Sequence, residues 1–172
     1  MKYSDFPSFS GIMIVIGVDP GLATVGYGIL AQRDGKVIPL TYSCIRTSPA
    51  NGGTPERLEV IFDAISTLLD EYAPGCMAME KLFFSRNVTS ALGVAEVRGV
   101  IMLAARKRGI PVVEYTPNQV KQAVTGSGKA DKRQVQEMIA RLLSLSEIPR
   151  PDDVADGLSI ALCHVHTARG TR

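Results

Sequence analysis

Tryptophan is absent from this chain, histidine occurs only twice, and the three cysteines, Cys44, Cys76 and Cys163, lie far apart. An odd, widely spaced set of cysteines gives neither a disulfide framework nor the paired spacing of a zinc site, and it implies a reduced, cytoplasmic protein. His164 and His166 are two residues apart in a helical pattern, so they face different sides and do not share a metal. No apolar run approaches the roughly 18 residues of a membrane span. Low-complexity tracts and fixed-period repeats are also missing. The segment 1–12 lacks a basic start and a long apolar core, which argues against a secretory leader. It reads as a disordered extension, and Met13 is itself a possible start.

What remains is ordinary globular composition, 45% hydrophobic and 21% charged over 172 residues, enough for one domain with a substantial core. The net charge of +2 conceals an asymmetry. Residues 98–133 carry Arg98, Arg106, Lys107, Arg108, Lys121, Lys129, Lys132 and Arg133 against Glu114 and Asp131. Residues 134–156 carry Glu137, Glu147, Asp152, Asp153 and Asp156 against Arg141 and Arg150. A basic stretch beside an acidic one suits a metal-dependent nuclease, in which one part attracts phosphates and the other holds cations. Solvated helix faces of either sign produce the same pattern.

The chain is organised around Ile14-Val15-Ile16-Gly17-Val18-Asp19-Pro20-Gly21, a buried strand closed by a turn. Pro20 has no N–H for the ladder, so the Asp19 carboxylate is presented at the strand's C-terminal end, where open α/β sheets place ligands. Plain turn chemistry explains Asp-Pro-Gly equally well. A second strand over 25–32, an Asp34-Gly35 hairpin and a third strand over 36–46 complete an antiparallel meander. Gly26-Tyr27-Gly28 matches dinucleotide-binding letters but opens no helix. Thr54-Pro55-Glu56 reads as a cap with proline at the first helical position, and an apolar stripe follows to Pro74-Gly75.

A fourth strand, Cys76 to Glu80, again ends in a carboxylate. Helices are expected over 88–108, 117–124, 131–145 and 152–168, with a fifth strand over 111–115. Gly126-Ser127-Gly128-Lys129 lacks the remaining Walker residues and reads as a flexible basic loop. The order predicts an α/β fold, a single domain with a mixed five-stranded sheet flanked by helices, by analogy the ribonuclease H-like fold.

Asp19 and Glu80 would end neighbouring central strands, and Asp153 and Asp156 share a helix face at i, i+3. Four converging carboxylates cannot all stay ionised unaided, and hard divalent cations, Mg²⁺ or Mn²⁺, resolve the conflict. Two ions about 3.5–4 Å apart would activate a water and stabilise the leaving oxygen of a phosphodiester. A surface Glu80–Lys81 pair and helix capping by the aspartates are the competing readings, with Asp152 the better placed cap.

Taken in order, Gly17-Val18-Asp19-Pro20-Gly21, Gly26-Tyr27-Gly28, Cys44-Ile45-Arg46-Thr47, Glu80-Lys81-Leu82-Phe83, Ser90-Ala91-Leu92, Ala95-Glu96-Val97-Arg98-Gly99, Val120-Lys121-Gln122, Gly126-Ser127-Gly128 and Asp153-Val154-Ala155-Asp156 resemble the RuvC family of Holliday-junction endonucleases. The resemblance covers about 13–166 and implies a nuclease domain over 13–168 with a tail over 169–172. It further implies a Mg²⁺-dependent homodimer that makes paired symmetric nicks across four-way DNA junctions in recombination and repair. Its partners would be a branch-migration helicase complex of the RuvA and RuvB type. By position, Asp19, Glu80, Asp153 and Asp156 would be the catalytic metal ligands. Phe83 would stack on a base at the opened crossover, and Lys121 and Lys132 would lie near the scissile DNA, with Arg86, Lys129 and Arg133 as further DNA-binding residues. Some members carry histidine at the position of Asp153, so a general-base role competes there with ligation, and Asp152 is a rival. The N-terminal extension departs from the family pattern. Competing functions are a catalytically silent junction-binding protein, a related nuclease acting on RNA or other branched DNA, and an actin-like ATPase, for which the chain is too short.

Overall fold

The computed structural model describes residues 12–82 and 88–169. The extension expected over 1–12 and the tail over 169–172 fall outside the described residues except for one residue each. Strands β1 (Met13–Asp19), β2 (Thr24–Arg33) and β3 (Lys36–Arg46) form the antiparallel meander. Asp34 and Gly35 both take positive φ, 49° and 79°, the conformation a two-residue hairpin with right-handed strand twist requires. Helix α1 (Thr54–Tyr72) leads to β4 (Cys76–Glu80), and α2 (Val88–Lys107) leads to β5 (Val112–Tyr115). Both later strands run parallel to β1, giving one sheet of order β3-β2-β1-β4-β5. Helices α3 (Pro117–Thr125), α4 (Lys132–Leu142) and α5 (Asp152–Arg169) follow. This is the mixed five-stranded sheet flanked by helices that the sequence predicts.

Two boundaries differ from expectation. Gly53, not Thr54, is the N-cap of α1; it has no capping side chain, and Pro55 lies inside the first turn. Helix α4 stops at Leu142 and not near Leu145, because Ser144 turns left-handed at φ 52°. By contrast, Thr116 and Asp131 cap α3 and α4 through reciprocal bonds with Gln119 and Gln134.

The sheet separates two cores. Ile14, Ile16, Val18, Met77 and Met79 pack under α1 and α2. Val15, Ala78 and Leu30 pack under α3, α4 and α5. Alternation along β1 and β4 therefore turns Asp19 and Glu80 toward the second face. On that face α5 comes down onto β1 and β2 at backbone contact. A Cβ on Gly17 would lie 2.3 Å from the Ala161 nitrogen and the Gly157 oxygen, and one on Gly26 would lie 1.8 Å from the Asp153 carbonyl oxygen. The glycines of the Gly-Tyr-Gly stretch thus serve close helix docking, which is why those letters occur without any dinucleotide site.

Gly26→Ala should therefore lower the unfolding free energy by about 1–3 kcal/mol in urea titrations, since backbone must move to admit the methyl. Gly75→Ala, whose Cβ would meet only the Ile14 oxygen at 3.8 Å, should leave stability within about 0.5 kcal/mol.

Candidate active site

Val18 and Met79 are level in the parallel β1–β4 pair, so Asp19 and Glu80 leave the sheet side by side at one edge. Gly26 pairs with Asp19 across β1 and β2, and the start of α5 rests on Gly26 through the Asp153 backbone. This docking sets Asp156, one turn on from Asp152, over the same edge. The result is a cleft of about 310 Å³ lined by Asp19, Glu80, Asp156, Lys121, Lys132 and Ser159. Lys121 comes from α3 and Lys132 from the first turn of α4.

The electrostatics are those of crowded carboxylates. Burial, then repulsion from Asp156, Glu80 and Asp153, pushes the Asp19 carboxyl from 3.8 up to about 7, against the pull of Lys132. Burial and Asp156 raise the Glu80 carboxyl, with Arg98 and Lys121 opposing. Burial also raises Asp156, although Lys132 works the other way. Asp153 adds to the repulsion on both Asp19 and Asp156 but does not line the cleft itself. Among the described residues, no three His, Cys, Asp or Glu side chains are gathered into a ready-made chelate. The chemistry of the donor set nevertheless fits a hard divalent cation. It is all carboxylate oxygen, half-buried, mutually repelling and short of positive charge.

Asp152, the rival ligand, has a different place. The Lys132 ammonium lies 3.2 Å from Asp152 Oδ2 and 3.4 Å from Asp156 Oδ2. Gln136 Nε2 donates to Asp152 Oδ1 at 2.9 Å. Asp152 is exposed, and its hydrogen bonds from Lys132 and Gln136 lower its carboxyl, whereas burial raises Asp156 beside the same ammonium. Asp152 thus holds Lys132 at the rim and does not line the cleft.

The other expected residues divide. Lys129 faces a neighbouring hollow with Ser127, Gln134, Glu137 and Arg141, outside the carboxylate cleft. Arg133 is exposed on α4, where its Nε donates to Glu137 Oε1 at 2.8 Å. Phe83 and Arg86 lie outside the described residues. His164 Nδ1 is 2.8 Å from the Tyr115 hydroxyl and His166 Nδ1 is 2.9 Å from the Ala123 carbonyl, so the two histidines have separate partners. Arg98, counted in the basic stretch as a phosphate attractor, is buried at 6% exposure and points inward to Glu80 and Glu114. The sequence does carry its signal: a lone charge inside the apolar run Val97 to Ala105 of α2. Nothing in the sequence singles out Ser159, whose hydroxyl donates to the Ala155 carbonyl at 2.7 Å beneath the cleft.

The family model described as Crossover junction endodeoxyribonuclease RuvC matches residues 15–164. A relative of that name from Desulfitobacterium hafniense is 50% identical over 155 residues, covering 90% of this chain and 93% of its own. One from Moorella thermoacetica is 51% identical over 156 residues, covering 91% and 93%. The solved Thermus thermophilus RuvC in complex with Holliday junction substrate superposes with a TM-score of 0.88 at 38% identity, covering 92% of this chain and 96% of that one. The yeast mitochondrial Holliday junction resolvase shares the fold, with a TM-score of 0.64 at 17% identity.

Raised carboxyl pKa values mean that the native state keeps protons which the unfolded chain has already released. In chelator, stability should therefore fall as pH rises from about 4 to about 7, the interval between the unfolded and folded values of Asp19, with Glu80 and Asp156 adding in the same sense. Melting curves should show a lower midpoint at about pH 8 than at about pH 5, and Asp19→Asn should flatten the difference. Added Mg²⁺ should raise the midpoint more at the higher pH.

Proposed function

The chain belongs to the RuvC family of crossover junction endodeoxyribonucleases, and from that premise we propose that it resolves four-way DNA junctions by paired, metal-dependent nicks in recombination and repair. The observation that carries this reading is the cleft in which Asp19 and Glu80, from adjacent strand ends, meet Asp156 from α5 beside Lys121 and Lys132. Asp19, Glu80, Asp153 and Asp156 would hold two Mg²⁺ ions, with Mn²⁺ able to substitute. Bound there, the ions would supply Lewis-acid activation of water and stabilisation of the departing oxygen.

The side chains of the chain itself do the rest. Asp19, with its carboxyl near 7, gives up its proton as positive charge enters the cleft. Lys121 and Lys132 flank the carboxylates and offer ammonium groups to a phosphate that would otherwise be repelled. Lys129 and Arg133 extend the basic surface outside the cleft and serve as backbone contacts, as does Arg86. Phe83, three residues beyond Glu80, replaces base stacking at the opened crossover.

Symmetric nicks need two such sites, and the protein acts as a homodimer. Leu92 and Leu103 are 60% and 54% exposed on the outer side of α2, and Gly99, between them at helical spacing, has nothing within 4 Å of its Cβ position. A branch-migration helicase complex of the RuvA and RuvB type is its partner on the junction. Three free cysteines suit the reducing cytoplasm, and no helix among the described residues is long and apolar enough to cross a membrane.

Mg²⁺-dependent cutting of a synthetic four-way junction, compared with a duplex and a fork, tests the reading directly. Asp19→Asn and Glu80→Gln should each abolish nicking while leaving junction affinity nearly intact, because phosphate contacts dominate binding. Wild-type nicking by either variant would remove that residue from the site, and a wild-type protein that binds junctions but never nicks would make it a scaffold.

Lys121→Gln and Lys132→Gln should weaken binding to all junction sequences alike and lower the salt slope by about one for each phosphate that is no longer neutralised. Unchanged affinity and slope would make both lysines mere solvated charges.

A further inference from the structure

Among the described residues, Arg98 is the one buried arginine, at 6% exposure in the middle of α2 on the far side of the sheet from the cleft. One guanidinium nitrogen donates to the Glu80 main-chain carbonyl and the other to Glu114 Oε1. Met79 and Glu114 are level in the β4–β5 pair, as are Glu80 and Tyr115, so these two bonds tie together the C-terminal ends of both strands. The Lys81 N–H, bonded to the Tyr115 carbonyl at 2.7 Å, is the last backbone tie there among the described residues.

A buried guanidinium is costly in lost hydration unless its donors are met, and an apolar residue of similar size would fill the same space without that cost. Stability alone is therefore a weak reason for an arginine here. What an apolar side chain could not do is grip the carbonyl of the residue whose carboxylate faces the cleft. Strand alternation sends the Glu80 side chain to the α5 face while α2 lies on the other face. Arg98 can therefore hold Glu80 from behind without entering the cleft. Its planar fork suits a carbonyl and a carboxylate at once, whereas a lysine ammonium offers a single compact charge.

We propose that Arg98 is a positioning residue for Glu80: with Glu114 as its anchor, it fixes the end of β4 from the α2 face and so sets the direction of the Glu80 carboxylate toward a bound cation. The inference rests on Glu80 being a metal ligand.

Direct Mn²⁺ binding to DNA-free protein, followed by electron paramagnetic resonance, reads this role independently of cleavage. Arg98→Lys keeps the charge but not the fork, and Glu114→Gln keeps an acceptor but releases the anchor. Each should weaken Mn²⁺ binding about 10-fold or more and slow single-turnover nicking by about 10–100-fold, the usual penalty for a support behind a ligand. Junction affinity should stay within about 2-fold, since phosphate contacts are untouched. Folded variants with wild-type Mn²⁺ affinity and nicking rate would overturn the proposal. So would parallel declines in metal binding, junction binding and melting temperature, which mark a purely structural arginine. If Arg98→Lys does not fold, Glu114→Gln decides alone, because Glu114 is a third exposed and tolerates an isosteric amide. Glu80→Gln separates the two levels: normal nicking there defeats the reading of the site, whereas a dead Glu80→Gln beside fully active Arg98 and Glu114 variants defeats only the positioning role.

Discussion

Everything in this molecule that bears on chemistry depends on how closely α5 lies on β1 and β2. An ordinary helix-on-sheet contact, spaced by side chains on both surfaces, would hold the helix backbone several ångströms higher. Gly17 and Gly26 on the strands, with Gly157 and Ala161 on the helix, remove that spacer. The Asp153 carbonyl is then in contact with the strand that pairs with the Asp19 strand. A residue on a helix and a residue at a strand end, far apart in the chain, come to share a cleft because four small side chains let two backbones touch.

That proximity has an electrostatic cost, which the sheet is built to bear. Like charges in half-buried surroundings raise one another's proton affinity, and Asp19 shows this most strongly, at about 7. Positive charge reaches the carboxylates from two directions. Lys132 and Lys121 approach within the cleft, and Arg98 acts from the opposite core through the Glu80 backbone. Lys132 is shared between Asp152 and Asp156 and so is not committed to a single partner. Arg98 has no such freedom. It is buried, with its guanidinium held between the Glu80 main chain and the Glu114 carboxylate.

How much of this is legible in the sequence follows from what each signal measures. Strand identity, the Asp34-Gly35 hairpin, the helices over 117–124 and 131–145 and the mixed sheet follow from local pattern, because local chemistry decides them. The ends of α1 and α4 escape it, since a glycine cap without a side chain and a left-handed Ser144 leave no compositional mark. For the site, a carboxylate at the end of an apolar strand is a visible anomaly, and Asp19 and Glu80 do open onto one cleft. Position on a helix face brings Asp156 into that cleft, whereas Asp153, expected beside it, does not line the cleft and acts on Asp19 and Asp156 only through repulsion. Charge counting is weaker. It groups Arg98 with Lys129 and Arg133, although one is buried against Glu80, one faces another hollow and one is paired on the surface. Whether a cation faces solvent, a neighbour or the core is a tertiary fact, and composition does not carry it.

The two cores also explain how a site at an exposed sheet edge can be well defined. A strand end is normally the least constrained part of a strand, because its ladder partners run out there. Here β1 continues into Pro20 and Gly21, and β4 ends at Glu80. Each carboxylate therefore needs fixing by something other than the ladder. For Asp19 it is α5, pressed onto the neighbouring strand from one face. For Glu80 it is Arg98, reaching the main chain from the other face. The sheet keeps the two supports apart: α5 enters the cleft through Asp156 and Ser159, whereas Arg98 stays on the opposite face and outside it. A layered α/β architecture offers that separation, and with both faces covered, the edge is left for chemistry.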